Sequence, residues 1–135
     1  MAGSYPTEAG GQKSQSILIV EDDPGVTGFL EEMLQAAGFR VLVAPDGESA
    51  VETLKAEGSS VACIILDYET PGMHAIRALT CFRQINPDVK IILSSGYSEE
   101  DISPNVTASK IDGFIAKPYD LRAFLSQMAE ILSAK

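Results

Sequence analysis

Five short apolar runs, at residues 17–20, 40–44, 61–66, 90–94 and 113–116, alternate with segments of helical period from Ile17 onward. The runs are continuous in Ile, Val and Leu rather than alternating in and out, which suits strands buried on both faces of a parallel sheet. After the first run, Val26, Phe29, Leu30, Met33, Leu34 and Ala37 fall on one helical stripe, and Gly38 supplies a stop. Asp46 can cap a second helix to about Glu57, with Gly58 ending it. A third helix over 76–84 stops before Asn86-Pro87. The last starts at Asp120 as N-cap and sets Leu121, Phe124, Leu125, Met128, Ile131 and Leu132 on one stripe. The connection 98–112 is weaker, because Pro104 interrupts it and Ser, Asn and Thr dilute it. Its helix is expected to be short or irregular. Strict alternation of strand and helix implies right-handed crossovers and an α/β doubly wound sheet. At 135 residues the expected solution is five parallel strands in order 2-1-3-4-5 with five helices. Its ligand crevice then lies at the carboxyl ends of strands 1 and 3, where the winding reverses.

Composition agrees with one domain that needs no staples, since 45% of the residues are apolar. We expect a leader or linker over 1–16, rich in Gly, Ser, Thr and Gln, and the folded domain over 17–135. Gly10-Gly11-Gln12-Lys13-Ser14 is no phosphate-binding loop, for it lacks both the Gly before the Lys and a preceding strand. No apolar run approaches the roughly 20 residues of a membrane helix, and the N-terminus is unlike a signal peptide. Cys63 and Cys81 both lie in apolar segments and read as buried free thiols. A cytoplasmic setting without membrane contact is expected. Ten Lys and Arg against 19 Asp and Glu give a net charge of −9, and the densest basic neighbourhood, 77–90, holds only three cations. Such a surface repels nucleic acid, so direct DNA binding is not expected.

Chemistry gathers at the expected crevice. Strand 1 ends in Glu21-Asp22-Asp23, strand 3 in Asp67, strand 4 in Ser94-Ser95 and strand 5 in Lys117-Pro118. Three or four carboxylates meeting there would repel one another unless a hard divalent cation joins them, and oxygen ligands of this kind suit Mg²⁺. With Lys117 and the Ser95 hydroxyl added, the set could hold a tetrahedral dianion. Metal, ammonium and hydroxyl around an Asp are what phosphoryl transfer onto that Asp requires.

Four ordered motifs, ILIVEDDPGV, IILDYETPGM, IILSSGY and GFIAKPYD, each at a strand end, resemble the receiver domain of two-component response regulators. The likeness runs from Ile17 to about Leu132 and is strongest to receivers attached to hybrid sensor histidine kinases. It implies a flavodoxin-like fold and a signalling switch that catalyses only its own phosphorylation and dephosphorylation. By resemblance, Asp67 is the phosphoacceptor. Glu21, Asp22, Asp67 and the backbone carbonyl of Glu69 hold Mg²⁺, and Asp23 is the less constrained acid that follows the pair. Ser95 is the hydroxyl that reaches the phosphoryl group, Lys117 is the invariant lysine, and Lys117-Pro118 is a cis bond. Phe114 takes the place of the switch aromatic. The implied partner is a histidine kinase or a phosphotransfer protein in a phosphorelay, and a weak homodimer is compatible with the likeness. No output domain is expected after Lys135, and the chain is expected to be a stand-alone receiver or a piece of a hybrid kinase.

The chain departs from the pattern at Thr70-Pro71-Gly72-Met73-His74-Ala75, where Ala75 replaces a usual glycine and is expected to be strained or to redirect the loop. This and the Pro104 region bear on output. Blander readings stand beside each assignment. The three acids could simply cap a helix, Ser95 could bond its own backbone, Lys117 could be a solvated lysine, and Phe114 a core aromatic. His74 receives no role, and the sequon Asn105-Val106-Thr107 is noise in a cytoplasmic chain. Tyr97 and Glu69 flank the site and are candidates for tuning dephosphorylation. Two alternatives remain in view. One is a receiver that binds partners without phosphorylation. The other is a haloacid-dehalogenase-like phosphatase, suggested by Asp67-Tyr68-Glu69-Thr70, although that nucleophile normally ends the first strand.

Overall fold

The apolar runs at 17–20, 61–66 and 90–94 occupy the middle of one sheet. The structure, a computed structural model, describes residues 15–69, 75–96, 98 and 111–133. Its strands are β1 (Ser16–Val20), β2 (Arg40–Ala44), β3 (Val61–Asp67), β4 (Lys90–Ser95) and β5 (Gly113–Ala116). All neighbours pair in parallel, in the order β2-β1-β3-β4-β5. The described helices are α1 (Pro24–Ala36), α2 (Gly47–Glu57), α3 (Ala75–Ile85) and α4 (Leu121–Ser133), with a 3-10 turn at Gly58–Ser60. The expected short helix around Pro104 lies outside the described residues, as do His74, Tyr97 and the sequon. The first strand begins at Ser16, one residue before the expected domain start, and Ser16 is buried.

Side chains alternate across the sheet, and each face has its own core. Leu18, Val20, Ile64, Leu66, Ile91 and Leu93 meet α2 and α3 on one face. Ile17, Ile19, Cys63, Ile65, Ile92 and Ile115 meet α1 and α4 on the other. Burial on both faces holds for β1, β3 and β4. It fails for the edge strands, where β2 leaves Arg40 and Val43 exposed and β5 leaves Ala116 exposed, because an edge has no neighbour on one side.

The helices start where capping chemistry starts them. Asp23 accepts from the N–H groups of Gly25 and Val26, with Pro24 pre-set for the first turn of α1. Asp46 accepts from Ser49 N–H at α2, and Asp120 from Ala123 N–H at α4. Gly38 and Gly58 follow α1 and α2 with φ of 98° and 62°, which only glycine adopts without strain.

Four expectations need correction. Phe29, Leu121 and Leu125 are exposed rather than core-facing, because α1 and α4 each touch a single sheet face and bury only a narrow stripe: Leu30 and Leu34, and Phe124, Met128 and Ile131. Ala75, expected to be strained or to redirect the loop, is the first residue of α3 and is buried, a helical position that suits alanine and needs no glycine. The path of 70–74 is outside the described residues. Cys63 is a buried free thiol, whereas Cys81 is free but only half-buried. Finally, Asp23, expected as the less constrained acid after the pair, is held as the α1 cap, so the capping alternative describes this one of the three acids.

Two contacts seat β5, and with it the crevice's far wall. Asp112 Oδ2 accepts from Ile91 N–H at 2.8 Å and from Arg83 Nη2 at 3.0 Å, while Arg83 also donates to the Val89 carbonyl. At Gly113 an added Cβ would lie 2.6 Å from Ile131 Cδ1, so the missing side chain lets α4 approach closely. No helix among the described residues is long and apolar enough to cross a membrane.

Candidate functional site

Strand register brings the chemistry together. Val20 pairs with Leu66, so the next residues, Glu21 and Asp67, emerge side by side; Asp67 pairs with Ser94, and Ser95 with Ala116, one residue before Lys117. Glu21 and Asp67 are both only 4% exposed, although each is a carboxylate. Asp22 is exposed beside them. Carboxylate oxygens of Glu21, Asp22 and Asp67 lie within 4.8 Å of one another, a spacing that could hold a metal ion. Of the three adjacent acids, two therefore belong to the crevice and the third, Asp23, to the helix.

Lys117 answers part of the charge. Its Nζ lies 2.8 Å from Glu21 Oε1 and 3.2 Å from Asp67 Oδ1. Burial works against the ammonium, but the hydrogen bond to Glu21 and the negative Asp67 outweigh it and hold the Lys117 pKa above its ordinary value. Glu21 is pushed up chiefly by burial and also by Asp67, with the Lys117 bond and the Asp23 N–H opposing. Three carboxylates and one ammonium leave two surplus negative charges when all are ionised. That donor set, all oxygen and doubly negative, fits a hard divalent cation.

Ser94 and Ser95 part company across the sheet. Ser95 is fully buried, and its hydroxyl donates to Glu69 Oε2 at 2.6 Å. Ser94 is equally buried on the opposite face, where its hydroxyl lies 2.6 Å from the Tyr119 hydroxyl. Burial raises the Tyr119 pKa, so the phenol stays protonated, and its ring packs on Phe124 with centroids 5.7 Å apart. Glu69 also donates its N–H to Asp67 Oδ1 at 3.2 Å. Lys117 N–H donates to the Ser95 carbonyl at 2.8 Å, and the Lys117-Pro118 bond is cis. Phe114 is half-buried against the core on the α2/α3 face.

Two side chains here were not assigned these contacts by sequence reasoning: the Glu69 carboxylate and the Tyr119 hydroxyl. Strand alternation was the available signal, since successive side chains leave opposite faces and Ser94 and Ser95 must find separate partners.

Residues 17–129 match the family described as the response regulator receiver domain. The chain belongs to that family. This receiver is 32% identical over 119 residues to the sensor kinase CckA of Brucella abortus, covering 88% of this chain and 13% of that kinase. It is 30% identical over 118 residues to the response regulator receiver protein CpdR of the same organism, covering 87% of this chain and 97% of that protein. In three dimensions it is similar to the receiver domain of sensor histidine kinase PA1611 from Pseudomonas aeruginosa PAO1, a structure with a magnesium ion coordinated in its active site cleft. There the TM-score is 0.78 at 23% identity, over 90% of this chain and 99% of that one. Relatives thus include sensor kinases, as the motifs implied. The receiver belongs to a family of two-component signalling domains.

Proposed function

We propose that this receiver is a phosphoacceptor switch in which Asp67 takes a phosphoryl group from a phosphohistidine on a histidine kinase or phosphotransfer protein. One observation carries the reading: the nearly buried Asp67 carboxylate sits within 4.8 Å of the Glu21 and Asp22 oxygens and 3.2 Å from the Lys117 ammonium. Asp67 Oδ1 accepts from Glu69 N–H and faces Lys117. A bond forms between an Asp67 carboxylate oxygen and phosphorus, the bond from phosphorus to the donor imidazole nitrogen breaks, and its electron pair stays on the imidazole. Lys117 stands where its ammonium can pair with an oxygen of the transferred group. Water later cleaves the acyl phosphate, releasing inorganic phosphate and restoring the carboxylate.

Glu21, Asp22 and Asp67, with the Glu69 carbonyl, would hold Mg²⁺. Bound there, the ion offsets the surplus negative charge that otherwise repels an incoming phosphoryl group. The magnesium ion in the PA1611 receiver supports the same choice of metal. The new acyl phosphate adds up to about two negative charges. Ser95 would turn its hydroxyl toward it and Phe114 would follow, changing the surface offered to partners.

Intact mass after incubation with acetyl phosphate tests the reading, with Asp67→Asn alongside. We expect one added phosphoryl group, absent without Mg²⁺ and absent in the variant. No adduct from acetyl phosphate or from a phosphohistidine donor would favour a receiver that only binds partners.

A further inference from the structure

Glu69 joins the two groups on which the proposed switch depends. Its backbone N–H donates to Asp67 Oδ1 at 3.2 Å, and its side-chain Oε2 accepts the Ser95 hydroxyl at 2.6 Å. Ser95 is fully buried at the last position of β4, whereas Glu69 is exposed in the turn after β3. The sheet therefore fixes the Ser95 backbone, and the Glu69 carboxylate reaches its hydroxyl from the turn.

A hydroxyl has one proton to donate. The proton that a phosphoryl oxygen on Asp67 would receive from Ser95 is already given to Glu69. An O–H···O⁻ bond of this length belongs to the stronger, charge-assisted class, although the exposure of Glu69 lets water compete for it. Two acceptors thus compete for one donor, and both are anionic. A phosphoryl group on Asp67 would also repel the Glu69 carboxylate, so the bond that holds Ser95 and the bond that would replace it cannot both persist.

We propose that Glu69 is a positioning residue that holds the Ser95 hydroxyl in the unmodified state and opposes its transfer to a modified Asp67. The inference rests on the phosphoacceptor reading above. It concerns the side chain alone, since the Glu69 carbonyl and N–H survive any substitution at that position. Strength of the Glu69–Ser95 bond then sets how much of the modified protein reaches the switched arrangement.

The test is a calorimetric titration of the full chain with beryllium trifluoride in Mg²⁺, which mimics a phosphoryl group on a carboxylate without being hydrolysed. Wild type, Glu69→Ala, Glu69→Gln, Ser95→Ala and the Ser95→Ala/Glu69→Ala double variant are compared. Glu69→Ala is expected to tighten binding roughly three- to tenfold, the range for a partly solvated charge-assisted bond. Glu69→Gln, which keeps an acceptor oxygen but no charge, should give a smaller gain. In the Ser95→Ala background only the like-charge repulsion remains, so removing Glu69 should tighten binding clearly less than it does when the Ser95 hydroxyl is present. Equal tightening in both backgrounds would overturn the proposal, because Glu69 would then act only as a like charge on the anion. Unchanged or weaker binding in Glu69→Ala would also overturn it. If wild type neither binds beryllium trifluoride nor gains mass from acetyl phosphate, the phosphoacceptor reading fails and this one with it. If wild type does both and Glu69→Ala matches it, only the present proposal fails.

Discussion

Lys117 Nζ lies 2.8 Å from Oε1 of Glu21, a residue 96 positions earlier, so one hydrogen bond ties the exit of the last strand to the exit of the first. Glu21 is nearly buried, and without this partner its charge would face Asp67 and Asp22 with the Asp23 N–H left to offset it.

Lys117→Ala should therefore destabilise the metal-free protein. Removing one partner of a buried pair costs several kcal/mol, and partial exposure of Lys117 reduces this to about 1–3 kcal/mol. Mg²⁺ would supply the missing positive charge, so the deficit should shrink when it is added. Urea unfolding in chelator and in Mg²⁺ measures both values; an equal deficit in the two conditions would mean that lysine and metal do not answer the same charges.

Asp22→Asn separates metal binding from stability. Asp22 is exposed and makes no cap, so without divalent ions the variant should unfold within about 0.5 kcal/mol of wild type. Its removal takes one carboxylate from a three-carboxylate cluster, and the rise in Tm with Mg²⁺ should fall sharply. The same Mg²⁺-dependent rise in both proteins would place the ion elsewhere.

How much of this arrangement was legible before the structure depends on the range of the interaction involved. Central strands read correctly because burial on both faces demands unbroken Ile, Val and Leu, and that demand is local. Glu21, Asp22, Asp67, Ser95 and Lys117 were legible as neighbours because parallel register places all strand exits on one edge. Division of labour within Glu21-Asp22-Asp23 was not, since three adjacent acids look alike until the turn into α1 points Asp23 at its N–H groups. Phe29, Leu121 and Leu125 looked like core because period reports a helix face but not how wide a strip of it the sheet covers. Contacts of Glu69 and Tyr119 depend on the paths of two turns, after β3 and around Pro118, that no spacing rule specifies.

Asp46 gives a pH dependence of known sign. The hydroxyl and N–H of Ser49 both donate to its carboxylate and hold its pKa below the usual aspartate value of 3.8. A depressed folded-state pKa means that the stabilisation is fully present above the unfolded value and is lost as pH falls through the folded one. Asp46→Asn should thus be less stable than wild type near neutrality, with the gap closing as pH drops below 3.8. Denaturant midpoints of the two proteins across that range measure the gap, and a gap independent of pH would show that the cap works without its charge.

Ser94 and Tyr119 make the last prediction, because their hydroxyls meet at 2.6 Å on the α1/α4 face while Ser95 serves the other. Tyr119→Phe leaves the fully buried Ser94 hydroxyl without this partner and should cost about 1–2 kcal/mol. Ser94→Ala should cost less, since the half-buried phenol can turn toward water. The double variant should be more stable than the sum of the two losses implies, by about 0.5–1 kcal/mol, as expected for groups in direct contact. Urea unfolding of the four proteins closes the cycle. Strictly additive losses would mean that the hydroxyl pair adds nothing beyond the packing of the Tyr119 ring on Phe124.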